Sequence, residues 1–313
     1  MPKILITGGA GFIGSNLADK LISGGEDVVI VDNLFTGRLS YLNPTAKFYL
    51  ADIRDDVINN IFAIEKPDIV IHLAAQMSVP FSVEQPRLDL DINLNGLLNL
   101  LAAAVKHEVK KFVFSSSGGT VYGDVKYPVD EMAPLKPFPP YAITKTTSEH
   151  YLAFYRKQYG LDYVVLRFAN VYGPRQVSAH ESGVVTIFTE KFLRKEPAVI
   201  YTFPHQKGGM KRDYVFVGDV VKALAKAMYF TGSDVFNIGT GIPTETLEIL
   251  NTLDGILGYS IDYKFGPPRD GDLEETYLLV DKAEKILGWE PDITLKDGLE
   301  KTVDYFKTIT DVK

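Results

Sequence analysis

The chain has 313 residues, 46% of them hydrophobic, which is enough for one large α/β domain and a smaller lobe, each with its own core. Its 33 Lys and Arg residues against 40 Asp and Glu residues give a net charge of −7, which argues against a nucleic-acid partner bound through broad phosphate electrostatics. Because the chain contains no cysteine, disulfides, thiolate nucleophiles and thiolate metal sites are excluded.

The N-terminal segment carries no targeting signal that we recognise. Its apolar run ends at Thr7, which is too short for the hydrophobic region of a signal peptide. No stretch of 18 or more uncharged apolar residues occurs elsewhere, so no transmembrane helix is predicted. We therefore expect a soluble cytoplasmic protein with no membrane partner.

Short apolar runs alternate with longer helical patterns over residues 1–170. The runs predict strands over residues 4–7, 28–32, 48–50, 69–72, 112–115 and 163–168. Between them, apolar residues recur every three or four positions, which predicts helices over residues 11–23, 57–65, 91–107 and 141–158. This alternation is typical of the α/β class, with a doubly wound parallel sheet covered on both faces by crossover helices.

Residues 171–313 show a weaker pattern because glycines and prolines interrupt it. We expect a smaller, loop-rich, mainly C-terminal α/β lobe there. Helical stretches over residues 217–230 and 244–257 flank a predicted strand over residues 235–238. Parts of residues 215–240 are therefore expected to rejoin the main sheet, which makes the lobe discontinuous.

A glycine-rich segment, Thr7-Gly8-Gly9-Ala10-Gly11-Phe12-Ile13-Gly14, lies between the first predicted strand and the first predicted helix. In this position glycines let backbone amides close on a pyrophosphate at a helix N-terminus. The alternative is a tight turn of purely structural value. The position favours a dinucleotide site and predicts a sheet of the Rossmann type.

Asp32 ends the second predicted strand, 21 residues after Gly11. A carboxylate there accepts hydrogen bonds from an adenosine ribose diol and repels a 2′-phosphate, so NAD is favoured over NADP. Arg38 could meet a 2′-phosphate, but with Asp32 in place we interpret it as a surface residue. Asp52 follows the third predicted strand, where its carboxylate either binds the adenine amino group or caps the next helix.

Tyr141 and Lys145 lie one turn apart on the same face of a predicted helix. A free tyrosine titrates near ~10, so a phenol that acts as a base at neutral pH needs positive charge beside it. A second pair with the same spacing, Tyr122 and Lys126, is interrupted by Gly123 and followed by a proline, which predicts a loop. Tyr141 is therefore the predicted general base.

Together these motifs resemble the extended short-chain dehydrogenase/reductase family. The resemblance is carried by the glycine segment, Ser115-Ser116-Ser117, Val121-Tyr122-Gly123 and Tyr141-x-x-x-Lys145. Three later segments look like the nucleotide-sugar enzymes of that family, among which the UDP-glucose 4-epimerases are the most similar: Arg167-Phe168-Ala169-Asn170-Val171-Tyr172-Gly173-Pro174, Arg212-Asp213-Tyr214-Val215-x-Val217-x-Asp219-Val220 and Arg269-Asp270-Gly271-Asp272. The resemblance covers essentially the whole chain.

The resemblance implies a role for each matched residue. Tyr141 is the acid/base and Lys145 binds the nicotinamide ribose, with NAD contacts at Gly8, Gly11, Phe12, Ile13, Gly14, Asp32, Asn33, Thr36, Gly37, Asp52, Ile53, Leu73, Ala74, Ala75, Gln76, Asn93, Ser115 and Ala169. The UDP-sugar is implied to contact Ser117, Thr120, Tyr141, Asn170, Val185, Tyr201, Arg212, Arg269 and Asp272. The arginines would hold the diphosphate. Plainer alternatives are that Asn170 only ends a strand and that Asp213 pairs with Arg212 at the surface.

The sequence departs from the family at Gly118. Many 4-epimerases carry Ser or Thr four residues before the Tyr of Val-Tyr-Gly, where the hydroxyl bonds the sugar O4. Here the pair Gly118-Gly119 separates Ser117 from Thr120, so either hydroxyl could take the role, or Tyr141 could work without it. We predict Ser117 as the catalytic hydroxyl.

The resemblance implies NAD-dependent inversion of C4 of a UDP-hexose, UDP-glucose or UDP-galactose, through a transient 4-keto sugar. Family dehydratases and decarboxylases carry acidic residues just before Val-Tyr-Gly, whereas this chain has Gly119-Thr120, and the cysteine of the 3,5-epimerases is missing. Epimerases for UDP-N-acetylhexosamines or UDP-uronates are the alternative reading. A non-catalytic NAD sensor is less favoured because Tyr141 and Lys145 are both retained.

No metal site is predicted, because the histidines are scattered without ligand spacing: His72, His107, His150, His180 and His205. His72 ends a predicted buried strand and is expected to be a packed core residue. Members of the family pair the two helices that correspond to residues 91–107 and 141–158 across a dimer interface, so we expect a homodimer.

Overall fold

Seven parallel strands form the central sheet in the computed structural model, which describes residues 1–178, 183–269 and 271–310. The strands of this sheet and of three smaller sheets are numbered together in chain order. They are β1 (Lys3–Thr7), β2 (Asp27–Asp32), β3 (Lys47–Leu50), β4 (Ile69–His72), β5 (Lys111–Ser117), β6 (Asp162–Phe168), β7 (Asn170–Tyr172), β8 (Ala198–Tyr201), β9 (Lys211–Arg212), β10 (Tyr214–Phe216), β11 (Asp234–Ile238), β12 (Thr244–Glu245), β13 (Tyr263–Gly266) and β14 (Glu275–Thr276). The main sheet has the order β11-β6-β5-β4-β1-β2-β3.

The helices are α1 (Phe12–Ser23), α2 (Val57–Glu65), α3 (Val79–Glu84), α4 (Pro86–Leu90), α5 (Gly96–Lys106), α6 (Pro140–Tyr159), α7 (Val184–Arg194), α8 (Val217–Met228), α9 (Thr246–Leu257) and α10 (Leu295–Thr310). A 3-10 turn covers Leu39–Tyr41, and π-helical turns cover Asp91–Asn95 and Ala283–Leu287.

The central strands are apolar on both sides because helices cover both faces of the sheet. In β1, Ile4 and Ile6 belong to the core beneath α1 and α8, whereas Leu5 belongs to the core beneath α2, α5 and α6. The chain winds from β1 toward β3 in one direction and from β4 toward β11 in the other. The order therefore reverses between β1 and β4, and a crevice at the carboxyl edge of that point is where such sheets bind ligands. The predicted fold class is confirmed.

Residues 171–310 contain more regular structure than the sequence pattern indicates. The strand β11 pairs with β6 in the main sheet, and α8 packs against α1. Two helices of this half, α7 and α10, are not among the elements that the sequence pattern predicts. Within α10, a Cβ on Gly298 would lie 2.1 Å from the Tyr172 hydroxyl, so only glycine permits this close packing.

A continuous helical run covers Pro86–Lys106, longer than the predicted helix over residues 91–107. By length and mean hydropathy, 1.3, it could cross a membrane, and it is the one such run in the described part of the chain. Its residues Leu97, Leu100 and Leu101 are fully buried against the sheet. We therefore assign it to the core of the domain.

Candidate active site

The glycine segment forms a tight turn from β1 into α1. The Gly11 amide donates to the Gly8 carbonyl at 3.1 Å, and Gly11 is the N-cap residue of α1 without a side-chain cap. A Cβ on Gly14 would lie 2.2 Å from the Gly8 oxygen, and a Cβ on Gly8 would lie 2.6 Å from the Ala74 nitrogen. The turn thus presents uncapped backbone amides of the first helical turn at the carboxyl edge. This geometry fits the pyrophosphate of NAD.

Two predicted contact residues in this helix face inward. The Phe12 side chain is buried in the core, and Ile13 packs against the same core. Their side chains therefore stabilise α1, and only their backbone amides are available to a cofactor.

Asp32 is held at the end of β2 by backbone donors. Its Oδ2 accepts the Ala10 amide at 3.0 Å and its Oδ1 accepts the Leu34 amide at 2.8 Å. Burial raises the pKa of Asp32, and these two hydrogen bonds oppose that rise. The segment 33–37, which includes Asn33 and Thr36, turns around this carboxylate, since a Cβ on Gly37 would lie 2.8 Å from Asp32 Oδ1.

Asp52 does not cap the following helix, so that interpretation is wrong. The N-cap residue of α2 is Asp56, whereas the Asp52 carboxylate accepts Arg54 Nε at 2.9 Å and Asn33 Nδ2 at 2.9 Å. The hydrogen bond from Arg54 lowers the pKa of Asp52 to about 2. Asp52 thus lies beside Asn33, at the adenosine end of the edge. The neighbouring Ile53 is packed in the core at 5% exposure.

The loop after β4 continues the same edge, with Leu73, Ala74, Ala75 and Gln76 in order. The Leu73 amide donates to the Thr7 carbonyl at 3.1 Å. The Asn93 side chain clamps the Gln76 backbone, accepting its amide at 2.9 Å and donating to its carbonyl at 2.8 Å. Asn93 is only 3% exposed. We therefore interpret Asn93 as the residue that shapes this loop.

Tyr141 and Lys145 lie in the first turns of α6, against the end of β5. The Lys145 ammonium donates to the Ser115 carbonyl at 2.9 Å. It also lies 4.8 Å from the Phe114 ring centroid and 5.8 Å from the Tyr141 ring centroid. The Ser115 hydroxyl donates to the His72 carbonyl at 3.0 Å. The structure thus brings the predicted pair to the carboxyl edge of the sheet.

Burial controls the charges of this pair. Burial raises the pKa of Tyr141 to about 12, while a hydrogen bond with Ser117 lowers it and the charge of Asp89 raises it. Burial also lowers the pKa of Lys145 to about 8, against the charges of Asp89 and Glu149. In the protein alone the phenol is protonated at neutral pH. A base at neutral pH therefore needs further positive charge beside it.

His72 is a packed core residue, as predicted. It is 1% exposed, and its Nδ1 lies 2.7 Å from the Thr7 hydroxyl. Burial lowers its pKa to about 3, and the charge of Lys145 lowers it as well. His72 is therefore neutral beneath Lys145.

Ser117 is the hydroxyl that lies beside Tyr141, close enough to lower the pKa of the phenol. It is the last residue of β5, so the extra glycine of the Gly118-Gly119 pair falls in the loop and leaves the strand unchanged. A Cβ on Gly118 would lie 2.5 Å from Leu278 Cδ1 and 3.2 Å from the Arg167 carbonyl oxygen. Position 118 therefore has no room for a hydroxyl-bearing side chain, which favours Ser117 for the role.

Thr120 and Asn170 lie near this loop, with Ala169 between β6 and β7. The Thr120 hydroxyl oxygen is buried and has no hydrogen-bond partner among the described residues. The Asn170 Oδ1 would lie 3.6 Å from a Cβ on Gly119, and its side chain is exposed. Val185 is packed in the core at 1% exposure, so a substrate contact by its side chain is not supported.

Arg212 carries a half-buried guanidinium on β9. It donates to the Lys211 carbonyl at 2.8 Å, and burial lowers its pKa. The ion pair with Asp213 that the sequence suggests is wrong. Asp213 turns inward, where its carboxylate accepts the Thr240 amide at 2.7 Å and the Gly241 amide at 3.0 Å. No carboxylate of the described residues lies within ion-pair distance of Arg212, which suits an anionic ligand.

Three other predicted substrate residues form a chain of contacts beside Arg212. The Arg269 guanidinium stacks 4.3 Å from the Tyr201 ring centroid. The Arg269 amide donates to Asp272 Oδ2 at 2.8 Å, and the charge of Asp272 acts on Arg212. One edge of the C-terminal lobe thus collects the residues that the resemblance assigns to the nucleotide.

Leu278 connects this edge to the catalytic residues. Thr276 pairs with Arg212 in the β14–β9 register, and Leu278 follows two residues later. The Leu278 side chain packs against Gly118, the residue after Ser117. Arg212 and the end of β5 therefore belong to one site.

A buried network beneath α6 has no counterpart among the residues predicted for the site. Arg167 Nη2 pairs with Glu149 Oε2 at 2.6 Å, and its Nη1 donates to the Tyr122 hydroxyl at 2.8 Å. The Tyr122 hydroxyl donates to Asn237 Oδ1 at 2.7 Å. The loop predicted for Tyr122 is confirmed. Arg167 and Tyr122 belong to motifs that carry the family resemblance. However, no pattern in the sequence near them identifies their hydrogen-bond and ion-pair partners.

Among the residues that the structure describes, no three His, Asp or Glu side chains group closely enough to hold a metal ion. His180 and Asp270 lie outside the described residues.

Comparison with known proteins establishes the family. The model of the NAD dependent epimerase/dehydratase family matches residues 4–239. The UDP-glucose 4-epimerase of Mycolicibacterium smegmatis is 42% identical over 312 residues, covering 97% of this chain and 98% of that protein. The chain therefore belongs to the NAD dependent epimerase/dehydratase family, within the extended short-chain dehydrogenases, and NAD is confirmed as its cofactor. It is an enzyme of the epimerase type.

Solved structures share the entire fold. The UDP-glucose 4-epimerase of Thermotoga maritima with UDP-glucose has a TM-score of 0.95 and 47% identity, with 98% of this chain and 99% of that chain covered. The UDP-glucose 4-epimerase of Thermus thermophilus in complex with NAD has a TM-score of 0.93 and 41% identity, with 97% and 99% covered.

The glycine turn gives a test of the cofactor site. We expect Gly14→Ala to weaken NAD binding at least ~10-fold, because its Cβ would press on the Gly8 carbonyl and open the turn. Calorimetric titration of the NAD-stripped protein measures the affinity. Gly255→Ala in α9 is the matched control, since a Cβ there meets nothing within 4 Å. Equal NAD affinity in both variants would show that Gly14 does not shape the site.

Proposed function

We propose that this enzyme inverts C4 of a UDP-hexose, UDP-glucose or UDP-galactose, through a transient 4-keto sugar. The observation that carries the proposal is the cluster of Tyr141, Ser117 and Lys145 at the carboxyl edge, joined through Leu278 to the unpaired guanidinium of Arg212. The cluster can move a proton at a sugar hydroxyl, and the guanidinium can bind a diphosphate. The relatives named above support UDP-hexoses as the substrate class.

The residues divide the chemistry between them. Tyr141, as phenolate, takes the proton of the C4 hydroxyl, while Ser117 donates a hydrogen bond to O4. Bound NAD would supply the hydride-accepting and hydride-returning chemistry at C4 and positive charge beside the phenol. Tyr141 then returns the proton to O4. The net redox change is zero, and the product is the C4 epimer.

Inversion requires the sugar to turn over while the nucleotide stays in place. Arg212 and Arg269 would anchor the diphosphate by charge-assisted hydrogen bonds. Arg212 is suited to this, because its charge is half-buried and has no ion-pair partner within the described part of the chain. A Cβ on Gly119 would meet only Asn170 Oδ1, at 3.6 Å, so the loop after Ser117 leaves space for the hexose at this position.

Removal of the proposed base should abolish catalysis. We expect Tyr141→Phe to lower kcat for UDP-galactose at least ~10³-fold, because no other group takes the C4 proton, while NAD stays bound. Inversion is followed by NMR with UDP-galactose, UDP-N-acetylgalactosamine and UDP-galacturonate as separate substrates. Tyr159→Phe, on the exposed end of α6, should keep full activity. A Tyr141→Phe enzyme as active as the parent would eliminate the proposed base, and inversion of the N-acetyl or uronate sugar alone would reassign the substrate.

Arg212 allows the anion site to be tested without turnover. We expect Arg212→Met to weaken binding of UDP at least ~10-fold, because the charge that meets the diphosphate is lost. The unliganded variant should be as stable as the parent or more so, since a half-buried charge without an ion-pair partner has been replaced by an apolar chain of similar length. Calorimetry and thermal unfolding measure the two effects. Arg194→Met, whose side chain is 59% exposed, should change neither; unaltered UDP affinity in Arg212→Met would contradict the proposed anchor.

We propose that the chain forms a homodimer and works in the cytoplasm without a membrane partner. Large apolar side chains are exposed on three helices that pack together, α3, α4 and α6: Val83 is 62% exposed, Leu90 45% and Phe154 49%. An apolar surface built from adjacent helices suits the same surface of a second copy.

A single charge should separate the subunits. We expect Phe154→Glu to convert the dimer to a monomer in sedimentation velocity runs, because two carboxylates would be buried across the symmetry axis. Phe265→Glu on β13, where Phe265 is 47% exposed, is the matched control and should stay dimeric. A parent protein that sediments as a monomer would disprove the dimer.

A further inference from the structure

Asp89 is an acidic side chain in α4 that is completely buried. Its Oδ1 accepts Gln76 Nε2 at 2.8 Å and Asn93 Nδ2 at 3.0 Å, and its Oδ2 accepts the Thr144 hydroxyl at 2.9 Å. The partners come from the loop after β4, the π-helical turn and α6. One carboxylate therefore ties together three separate parts of the site.

The two amide partners of Asp89 act as donors. The orientation of the Gln76 amide is set by its Oε1, which accepts the Ser78 backbone amide. The orientation of the Asn93 amide is set by its Oδ1, which accepts the Gln76 backbone amide. Both amides thus present N–H groups to Asp89. Burial raises the pKa of Asp89, whereas the hydrogen bonds from Gln76, Thr144 and Asn93 and the charge of Lys145 lower it and favour the ionised form.

The hydrogen bond that joins Asp89 to α6 is made by Thr144, which lies between Tyr141 and Lys145 in the chain. Thr144 directly precedes Lys145, and its hydroxyl lies 2.9 Å from both the Tyr141 carbonyl and Asp89 Oδ2. Gln76, on the other side, belongs to the loop that lines the proposed cofactor site. Asp89 thereby sets the distance between the turn of α6 that carries Tyr141 and Lys145 and the loop after β4.

The charge of Asp89 is not neutralised by a nearby partner. No Lys, Arg or His of the described residues lies within ion-pair distance of it, and the cation on which it acts is Lys145. The charge of Glu149 also raises the pKa of Lys145, but the Glu149 carboxylate forms an ion pair with Arg167. His72 beneath Lys145 is neutral at pH 7, and the direct contact of Lys145 is the Ser115 carbonyl.

We propose that Asp89 is a positioning residue for the Tyr141–Lys145 pair: it holds their turn of α6 against the Gln76 loop and supplies the uncompensated buried negative charge that keeps Lys145 an ammonium ion. The role in catalysis rests on the proposed function, whereas the effect on Lys145 does not. Asp89 touches neither the reacting atoms nor the cofactor in this assignment.

Asp89→Asn separates charge from position. The asparagine oxygen can still accept from Gln76 and Asn93, and its amide can donate to the Thr144 hydroxyl, which then donates to the Tyr141 carbonyl. We expect the Lys145 ammonium to titrate about one pH unit lower in nitrogen-15 NMR of lysine-labelled protein. The Lys145 signal is identified by its absence in Lys145→Arg. Both limbs of the kcat profile should move to lower pH, because Tyr141 loses a repelling charge as Lys145 loses an attracting one.

Two controls distinguish this role from a general loss of structure. Asp281→Asn removes the same charge from an exposed residue and should move neither the Lys145 titration nor the kcat profile. If thermal unfolding shows that Asp89→Asn is not folded, Thr144→Val serves instead, because it removes the hydrogen bond between Asp89 and α6. Turnover should then fall several-fold, and Thr144→Ser should restore it.

An unchanged Lys145 titration in folded Asp89→Asn overturns the proposal, as does full activity in Thr144→Val. The NMR titration uses the protein without substrate. It therefore gives its answer even if the enzyme proves inactive on every UDP-hexose, so failure of the proposed function can be told apart from failure of this inference.

Discussion

The contact on which the site depends is the one between the Lys145 ammonium and the Ser115 carbonyl at the carboxyl end of β5. An ammonium is costly to bury, so it remains charged only where polar groups and negative charge surround it. The end of a parallel strand supplies a carbonyl that the sheet no longer uses. The same strand ends in Ser117 beside Tyr141, so one strand end positions both partners of the phenol.

The two halves of the chain meet at this strand end because of a missing side chain. Gly118 admits Leu278, which is 1% exposed and brings β14 and its neighbour β9 against the main sheet. Asp213 strengthens the same junction by accepting the amides of Thr240 and Gly241. Arg212, the residue before it, then faces away from that junction without a carboxylate of its own in the described structure. Packing between the halves thus positions the guanidinium that we propose as the anion site.

The half-buried guanidinium of Arg212 and the buried carboxylate of Asp89 are among the charged groups of the described site that lack an ion-pair partner. A buried charge of this kind destabilises the folded protein unless hydrogen bonds or a ligand offset it. For Asp89 three protein donors provide the offset. For Arg212 the contacts are a carbonyl and a thioether, which are weaker partners than a phosphate oxygen. This difference indicates that the charge of Asp89 is structural, whereas the charge of Arg212 suits a ligand.

The sequence by itself determined the features that depend on residues close in the chain: the alternation of strands and helices in the first half, the glycine turn after β1, and Tyr141 one turn before Lys145. Periodicity and turn chemistry are local, so they are visible in sequence. Only the tertiary structure decided that Ser117 lies beside Tyr141, that Asp213 turns away from Arg212, and that Asp89 contacts Thr144, 55 residues later in the chain. These outcomes depend on which strands and helices become neighbours, and that is settled by packing across the sheet and between the lobes.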